Sequence, residues 1–135
     1  MGCPSESSRT FVNGGCPYAS LVKYPYSGPQ LQAALAFLQQ HPGQISPVTL
    51  DLGLNDMKNL FNATTCTLAS APTIAQALST YDANLDLSFA QLHAALNGTG
   101  DVVVMTNYFA HQNQCPNLLS LTETFNASLK RCSNW

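Results

Sequence analysis

Val48-Thr49-Leu50-Asp51-Leu52-Gly53-Leu54-Asn55-Asp56 is the stretch whose reading decides the fold. Its apolar residues fall on alternate positions, the period of a strand, and it begins just after Pro47 and stops at a glycine. A polar turn, Gly53 to Asp56, follows directly. Upstream, Leu31, Ala34, Leu35 and Leu38 recur at helical spacing. Ser27 is placed to cap that helix, Pro29 suits its first turn, and His41-Pro42-Gly43 ends it. Downstream, beyond a short amphipathic stretch from Met57 to Phe61 and a loop containing Cys66, a long helix is predicted from Pro72. Its face is Ile74, Leu78, Tyr81, Leu85, Phe89, Leu92 and Leu96, and Asn97-Gly98 supplies the stop. Val102 to Thr106 is a continuous apolar run of the kind a parallel strand shows when covered on both faces. After a loop from Tyr108 to Pro116, a last helix capped by Asn117 carries Leu118, Leu121, Phe125 and Leu129 on one face.

The order helix, strand, helix, strand, helix predicts an α/β chain with parallel strands and right-handed crossovers. Two strands are few for three amphipathic helices, because sheets of this class usually have about five or six. Either a strand hides in the segment from Gly2 to Ser27, or the chain is the middle of a larger domain. That segment is rich in Gly, Pro, Ser and Cys without sustained periodicity, and reads as a loop held by a short disulfide from Cys3 to Cys16. On this reading residues 1–28 are the loop segment and residues 29–135 the helical and strand-bearing part of a single, partial domain.

Composition narrows the function classes. Of 135 residues, 45% are apolar and 9% charged, which excludes a disordered or fibrous chain. Five Lys and Arg against seven Asp and Glu are scattered, so no electrostatic footprint for nucleic acid or an anionic membrane is present. No apolar run approaches the roughly 20 residues of a spanning helix, and Met1-Gly2-Cys3-Pro4 has neither the basic flank nor the apolar stretch of an export signal. Five cysteines without a C-x-x-C pair read as disulfide formers rather than as zinc ligands, and the pairing of Cys66, Cys115 and Cys132 stays open. N-x-[ST] sites at Asn62, Asn97 and Asn126 suit an exported surface. An odd cysteine count beside a missing export signal is read as a sign of truncation.

The turn from Gly53 to Asp56 lies where open α/β sheets place ligand sites, at the carboxyl end of a parallel strand. An Asn side chain there can aim its N–H groups at a developing oxyanion, and the glycine before it lets the backbone approach a substrate closely. The same residue types also serve an ordinary strand-to-helix turn, with Asp56 capping the turn that follows.

These residues carry a resemblance. Val48 to Asp56 resembles the strand and Gly-x-Asn-Asp block of SGNH hydrolases, the GDSL-type lipases and esterases. Gly2-Cys3-Pro4-Ser5-Glu6-Ser7, followed by Gly14-Gly15-Cys16-Pro17, is similar to the second block of secreted members, Gly-Cys-Pro-Gly-Glu-Thr. Val102 to Tyr108 with Gln112-Asn113-Gln114-Cys115-Pro116 looks like the next strand and its loop. The resemblance runs in order along essentially the whole chain. It implies a three-layer α/β/α, flavodoxin-like fold with a partial parallel sheet, from a secreted ester hydrolase working through a serine acyl-enzyme on a small-molecule ester, a lipid or an acylated sugar. Asn55 then matches the side-chain oxyanion donor, Gly53 and Asp56 match the residues shaping the turn, and Ser5 stands where the family has a glycine donating its backbone N–H. Serine keeps that N–H but is strained if the position requires positive φ.

Two blocks of the family are missing. No Gly-Asp-Ser occurs in the chain, and none of His41, His93 or His111 has Asp three residues before it, so neither the nucleophile nor the base has a candidate. The expectation is a chain that is silent alone, needs no cofactor or metal, and depends on missing segments or a complementing chain. A non-catalytic lipid- or carbohydrate-binding module of the same fold is the alternative. His41 reads as a helix terminator, His93 as a boundary residue, and His111 as the one that could line a cleft. Tyr18, Tyr24 and Tyr26 read as cover for the local core.

Overall fold

The computed structural model describes residues 2–132. Its central element is helix α4, Ala71–Leu96, 26 residues long. The Ser70 hydroxyl accepts the Thr73 N–H, Pro72 sits in the first turn where no donor is lost, and Asn97 closes the helix in the left-handed region at φ 48°. Tyr81, Leu85, Phe89, Leu92 and Leu96 recur along one face and are all buried. That stripe packs against α1 (Ser8–Asn13), α2 (Gln30–Gln40) and α5 (Leu119–Cys132), and gathers Leu31, Leu38, Leu121, Phe125 and Leu129 into one core.

Strands β1 (Val48–Leu50) and β4 (Val102–Val104) pair in parallel, with Val48 opposite Val102 and Leu50 opposite Val104. Further backbone bonds run from Val48 N–H to Asp101 O (2.8 Å) and from Met105 N–H to Leu50 O (3.0 Å). Side chains alternate across this sheet. Leu50 and Leu52 are buried, with Val48, Val102 and Val104 packed beside them on the helical core, while Thr49, Asp51, Val103 and Met105 lie exposed. The architecture is a mixed α/β chain whose small parallel sheet is covered on one face. Val103 is 46% exposed, so the expectation that this strand is covered on both faces does not hold among the described residues.

The Gly2 to Ser27 segment holds no strand among the described residues. It contains α1 where its composition predicts loop, because six residues are too few for an apolar period to show. A capping box starts it: Ser7 and Thr10 exchange backbone and side-chain hydrogen bonds. The Cys3–Cys16 disulfide forms as expected, with Cα atoms 5.8 Å apart. Cys66 pairs with Cys115, Cα atoms 5.2 Å apart, joining a small antiparallel hairpin of β2 (Phe61–Asn62) and β3 (Thr67–Leu68) to the loop before α5. Cys132 is the last residue of α5.

Two helix starts differ from expectation. Pro29, not Ser27, occupies the N-cap of α2, and no side chain caps it. Asn117 lies inside a 3₁₀ turn, Pro116–Leu118, and donates to Cys66 O at 2.9 Å, because the disulfide draws its amide toward the hairpin rather than to the helix end. Tyr18 and Tyr24 are 50% and 63% exposed and cover no core. Tyr26 is half-buried, its hydroxyl bonded to Gln30 Oε1 at 2.9 Å. No described helix is long and apolar enough to cross a membrane.

Candidate functional site

At the carboxyl end of β1 the chain turns sharply into α3 (Leu54–Met57). Gly53 makes that turn at φ +125°, a backbone conformation L side chains rarely adopt. The turn is also crowded. A Cβ at Gly53 would lie 2.5 Å from Asn107 Nδ2 and 2.6 Å from the Tyr81 hydroxyl. Both groups converge on Leu52 O, Tyr81 donating at 3.0 Å and Asn107 at 3.3 Å. Glycine is therefore needed here for its missing side chain as well as for its backbone freedom.

Asn107, just beyond β4, is oriented by Asn126 of α5. The Asn126 Oδ1 accepts the Asn107 N–H at 2.8 Å and its Nδ2 at 3.3 Å, and Asn126 Nδ2 donates to Asn107 O at 2.9 Å. The third glycosylation-type site is thus a structural bracket holding the loop after β4. Asn62 and Asn97 are exposed.

Asn55 and Asp56 both reach back to the N-terminal segment. Asn55 Nδ2 donates to Glu6 O at 3.1 Å, which leaves its second N–H uncommitted. Asp56 grips the start of α1. Its carboxylate accepts the Ser8 N–H at 2.9 and 3.2 Å and the Ser8 hydroxyl at 2.6 Å, while Asn84 of α4 donates to the same hydroxyl at 3.1 Å. Burial raises the Asp56 pKa, and the Ser8 hydrogen bonds oppose that rise by favouring the charged form. Asp56 therefore caps α1, 48 residues before it in the chain, rather than the turn that follows it. Nothing local to Asp56 signals that partner. Ser8 and Asn84 have no spacing relation to it that a sequence reading could use.

Ser5 adopts φ +59°, so this position does require the left-handed region, at a cost of about 1–2 kcal/mol for a residue with a side chain. Its N–H makes no hydrogen bond among the described residues. Next to it Glu6 is 8% exposed, and burial pushes its carboxyl from an ordinary 4.5 up to about 7. The Glu6 charge also raises the Tyr26 phenol, after the larger effect of burial there.

These groups open onto one cleft of about 850 Å³. Its walls are β1 and the two residues after it, Val48 to Leu52, the turn with Gly53 and Asn55, the Ser5-Glu6 segment, α2 at Phe37 and Leu38, and the loop after β4 at Met105 and Tyr108. The fold thus brings Ser5, Gly53 and Asn55 together, with Asp56 behind them as the tie to α1. His111 is not among the lining residues: it packs beside Phe61 and Phe109, ring centroids 6.2 and 5.8 Å away, with Nδ1 3.3 Å from Gln114 Oε1. His41 closes α2 with Nδ1 2.8 Å from Phe37 O, and His93 stacks on Phe89. No cluster of three His, Cys, Asp or Glu side chains that could hold a metal occurs among the described residues. Sequence reasoning missed Glu6, Asn107 and Tyr81, because each gains its role from burial against segments distant in the chain.

Compared with protein-family models, with curated proteins and with solved structures, the chain finds no match.

Proposed function

We propose that this chain carries the oxyanion-binding half of an SGNH-type ester hydrolase with a three-layer α/β/α parent fold. The observation that carries the reading is the hydrogen bond from Asn55 Nδ2 to Glu6 O, which binds the strand-end turn to the segment of Ser5. Asn55, with one N–H uncommitted, and Ser5, with its N–H unengaged, both line one cleft, the arrangement that two donors to one oxyanion require.

In the proposed reaction a serine oxygen attacks the ester carbonyl, and its proton passes to a base. The carbonyl oxygen gains the negative charge, held by Asn55 and the Ser5 N–H. Collapse expels the alcohol, which takes the proton back, and water repeats the sequence to free the acid and the serine. This chain has neither the Gly-Asp-Ser nor the Asp-x-x-His block, so its own part is to bind and to stabilise charge. That lack favours a second reading, in which the cleft binds a lipid or sugar without turnover. Two disulfides suit an exported protein under either reading.

The purified chain is expected to leave a short-chain activated ester intact. Co-expression with a segment carrying the two missing blocks is expected to restore hydrolysis, and Asn55→Ala should then lower kcat about 10²–10³-fold. Hydrolysis by the chain alone that Asn55→Ala abolishes would overturn the need for complementation. Restored activity indifferent to Asn55 would overturn the oxyanion assignment.

A further inference from the structure

The cleft has an electrostatic character that the hydrolytic reading does not use. Among the described residues that line it, only Glu6 and Asp51 carry charged side chains, and both are acidic; no described Lys, Arg or His is in the lining. Glu6 is more than nine-tenths buried, yet its carboxyl receives no hydrogen bond from any described residue. The carboxyl oxygens are not among the sealed, unpartnered polar atoms of the described residues, so they open to the cleft, where a positively charged group can reach them and be held by their charge. We propose that the cleft binds an organic cation, with a substituted ammonium group set against the Glu6 carboxyl and Asp51 drawing the same charge from the rim.

Three observations choose this ligand over others. A metal ion would need more ligands than two carboxylates, and no cluster of three candidate groups exists among the described residues. A cleft of about 850 Å³ is sized for an organic molecule. Its walls at Tyr24, Phe37, Met105 and Tyr108 are apolar side chains left 40–71% exposed, which suits the alkyl groups of a substituted ammonium and allows cation–π contact with the tyrosines. One tyrosine already hosts a cation: Lys23 Nζ, outside the lining, lies 5.7 Å from the Tyr24 ring centroid. Burial of the Glu6 side chain raises its carboxyl pKa. The inference needs no bond-making, so it stands or falls separately from ester hydrolysis.

Choline and its uncharged isostere 3,3-dimethylbutan-1-ol are the probes, titrated into the full chain at pH 8 by calorimetry and by amide chemical-shift mapping. Choline is expected to bind at least tenfold more tightly than the isostere and to shift Glu6, Asn55 and Tyr108. Glu6→Gln is expected to cost choline about tenfold in affinity and to leave the isostere unaffected; an unfolding curve establishes that the variant is folded. Asp51→Asn should weaken choline by a smaller factor. Equal affinity for choline and the isostere, choline binding that Glu6→Gln leaves unchanged, or no choline binding at all would each overturn the proposal. The comparison of the two probes on the unaltered chain decides the matter even if Glu6→Gln fails to fold.

Discussion

Replacing Gly53 by alanine tests how the strand-end turn is built. Two separate costs are expected. The first is conformational: φ +125° forces an L residue into disfavoured backbone, at about 1–2 kcal/mol. The second is crowding, since the new methyl would sit 2.5 Å from Asn107 Nδ2 and 2.6 Å from the Tyr81 hydroxyl. Neither neighbour can retreat freely, because Tyr81 is fully buried and Asn107 is held by Asn126. Overpacking of this kind costs about 1–3 kcal/mol, and displacing the two donors from Leu52 O adds about 1 kcal/mol. The sum is about 3–6 kcal/mol, a large share of the roughly 5–15 kcal/mol that holds a typical domain together. Gly98→Ala is the control. Gly98 has φ +73° with no atom within 4 Å of its would-be Cβ, so it carries a conformational cost without the crowding and should lose only about 1–2 kcal/mol. Equilibrium urea unfolding of both variants, followed by circular dichroism, gives the two free energies. Asn107→Ala should also lower the cost of Gly53→Ala in a double-mutant cycle, since it removes one clashing group. If the two glycine variants lose the same free energy, or the cycle shows no coupling, crowding by Asn107 and Tyr81 is not what demands glycine here.

Glu6 makes stability depend on pH with a definite sign. Its folded pKa of about 7 lies above the ordinary 4.5, so between these values the folded chain keeps a proton that the unfolded chain has lost. Stability should therefore fall as pH rises from about 4.5 to 7, by on the order of 2–3 kcal/mol. Asp56, also raised by burial, acts in the same direction. Urea midpoints for Glu6→Gln across that range should show most of the slope gone, and an unchanged slope would reject Glu6 as its source. The Cys66–Cys115 disulfide spans 49 residues and the Cys3–Cys16 disulfide 13. Chain entropy then predicts losses of about 4 and about 3 kcal/mol for the respective double serine variants, so the first should melt at the lower temperature. Asn126→Ala should cost about 2–3 kcal/mol by stranding the Asn107 N–H and carbonyl, whereas Asn62→Ala, at the exposed end of β2, where its side chain accepts only the solvent-exposed Thr64 and Thr65 N–H groups, should cost much less. Thermal melts of the two variants compare them directly.

What could be read in advance depended on the range of the interactions involved. The stripe from Tyr81 to Leu96 and the Asn97 stop were legible because a long amphipathic helix repeats its signal over many turns. The Cys3–Cys16 pair was legible because the loop is short and its two cysteines stand near each other. α1 and the β2–β3 hairpin were not, since elements of six and two residues carry too little periodicity to separate from loop. The Asn55 turn was legible as a place, by its position after a strand. The hydrogen bond that gives it meaning was not, because its acceptor, Glu6 O, lies 49 residues earlier.

The amino-acid sequence by itself determined the alternation of helix and strand, the parallel character of β1 and β4, and the turn at which Gly53 and Asn55 stand. Those are consequences of local period and of residues with special backbone freedom. Tertiary structure alone decided that Asp56 caps α1, that Asn126 brackets Asn107, that Cys66 meets Cys115, and that Glu6 is buried facing an acidic cleft. Burial and pairing of polar groups depend on which distant segments exclude water together. That property belongs to the packed chain and has no signature in any single stretch of it.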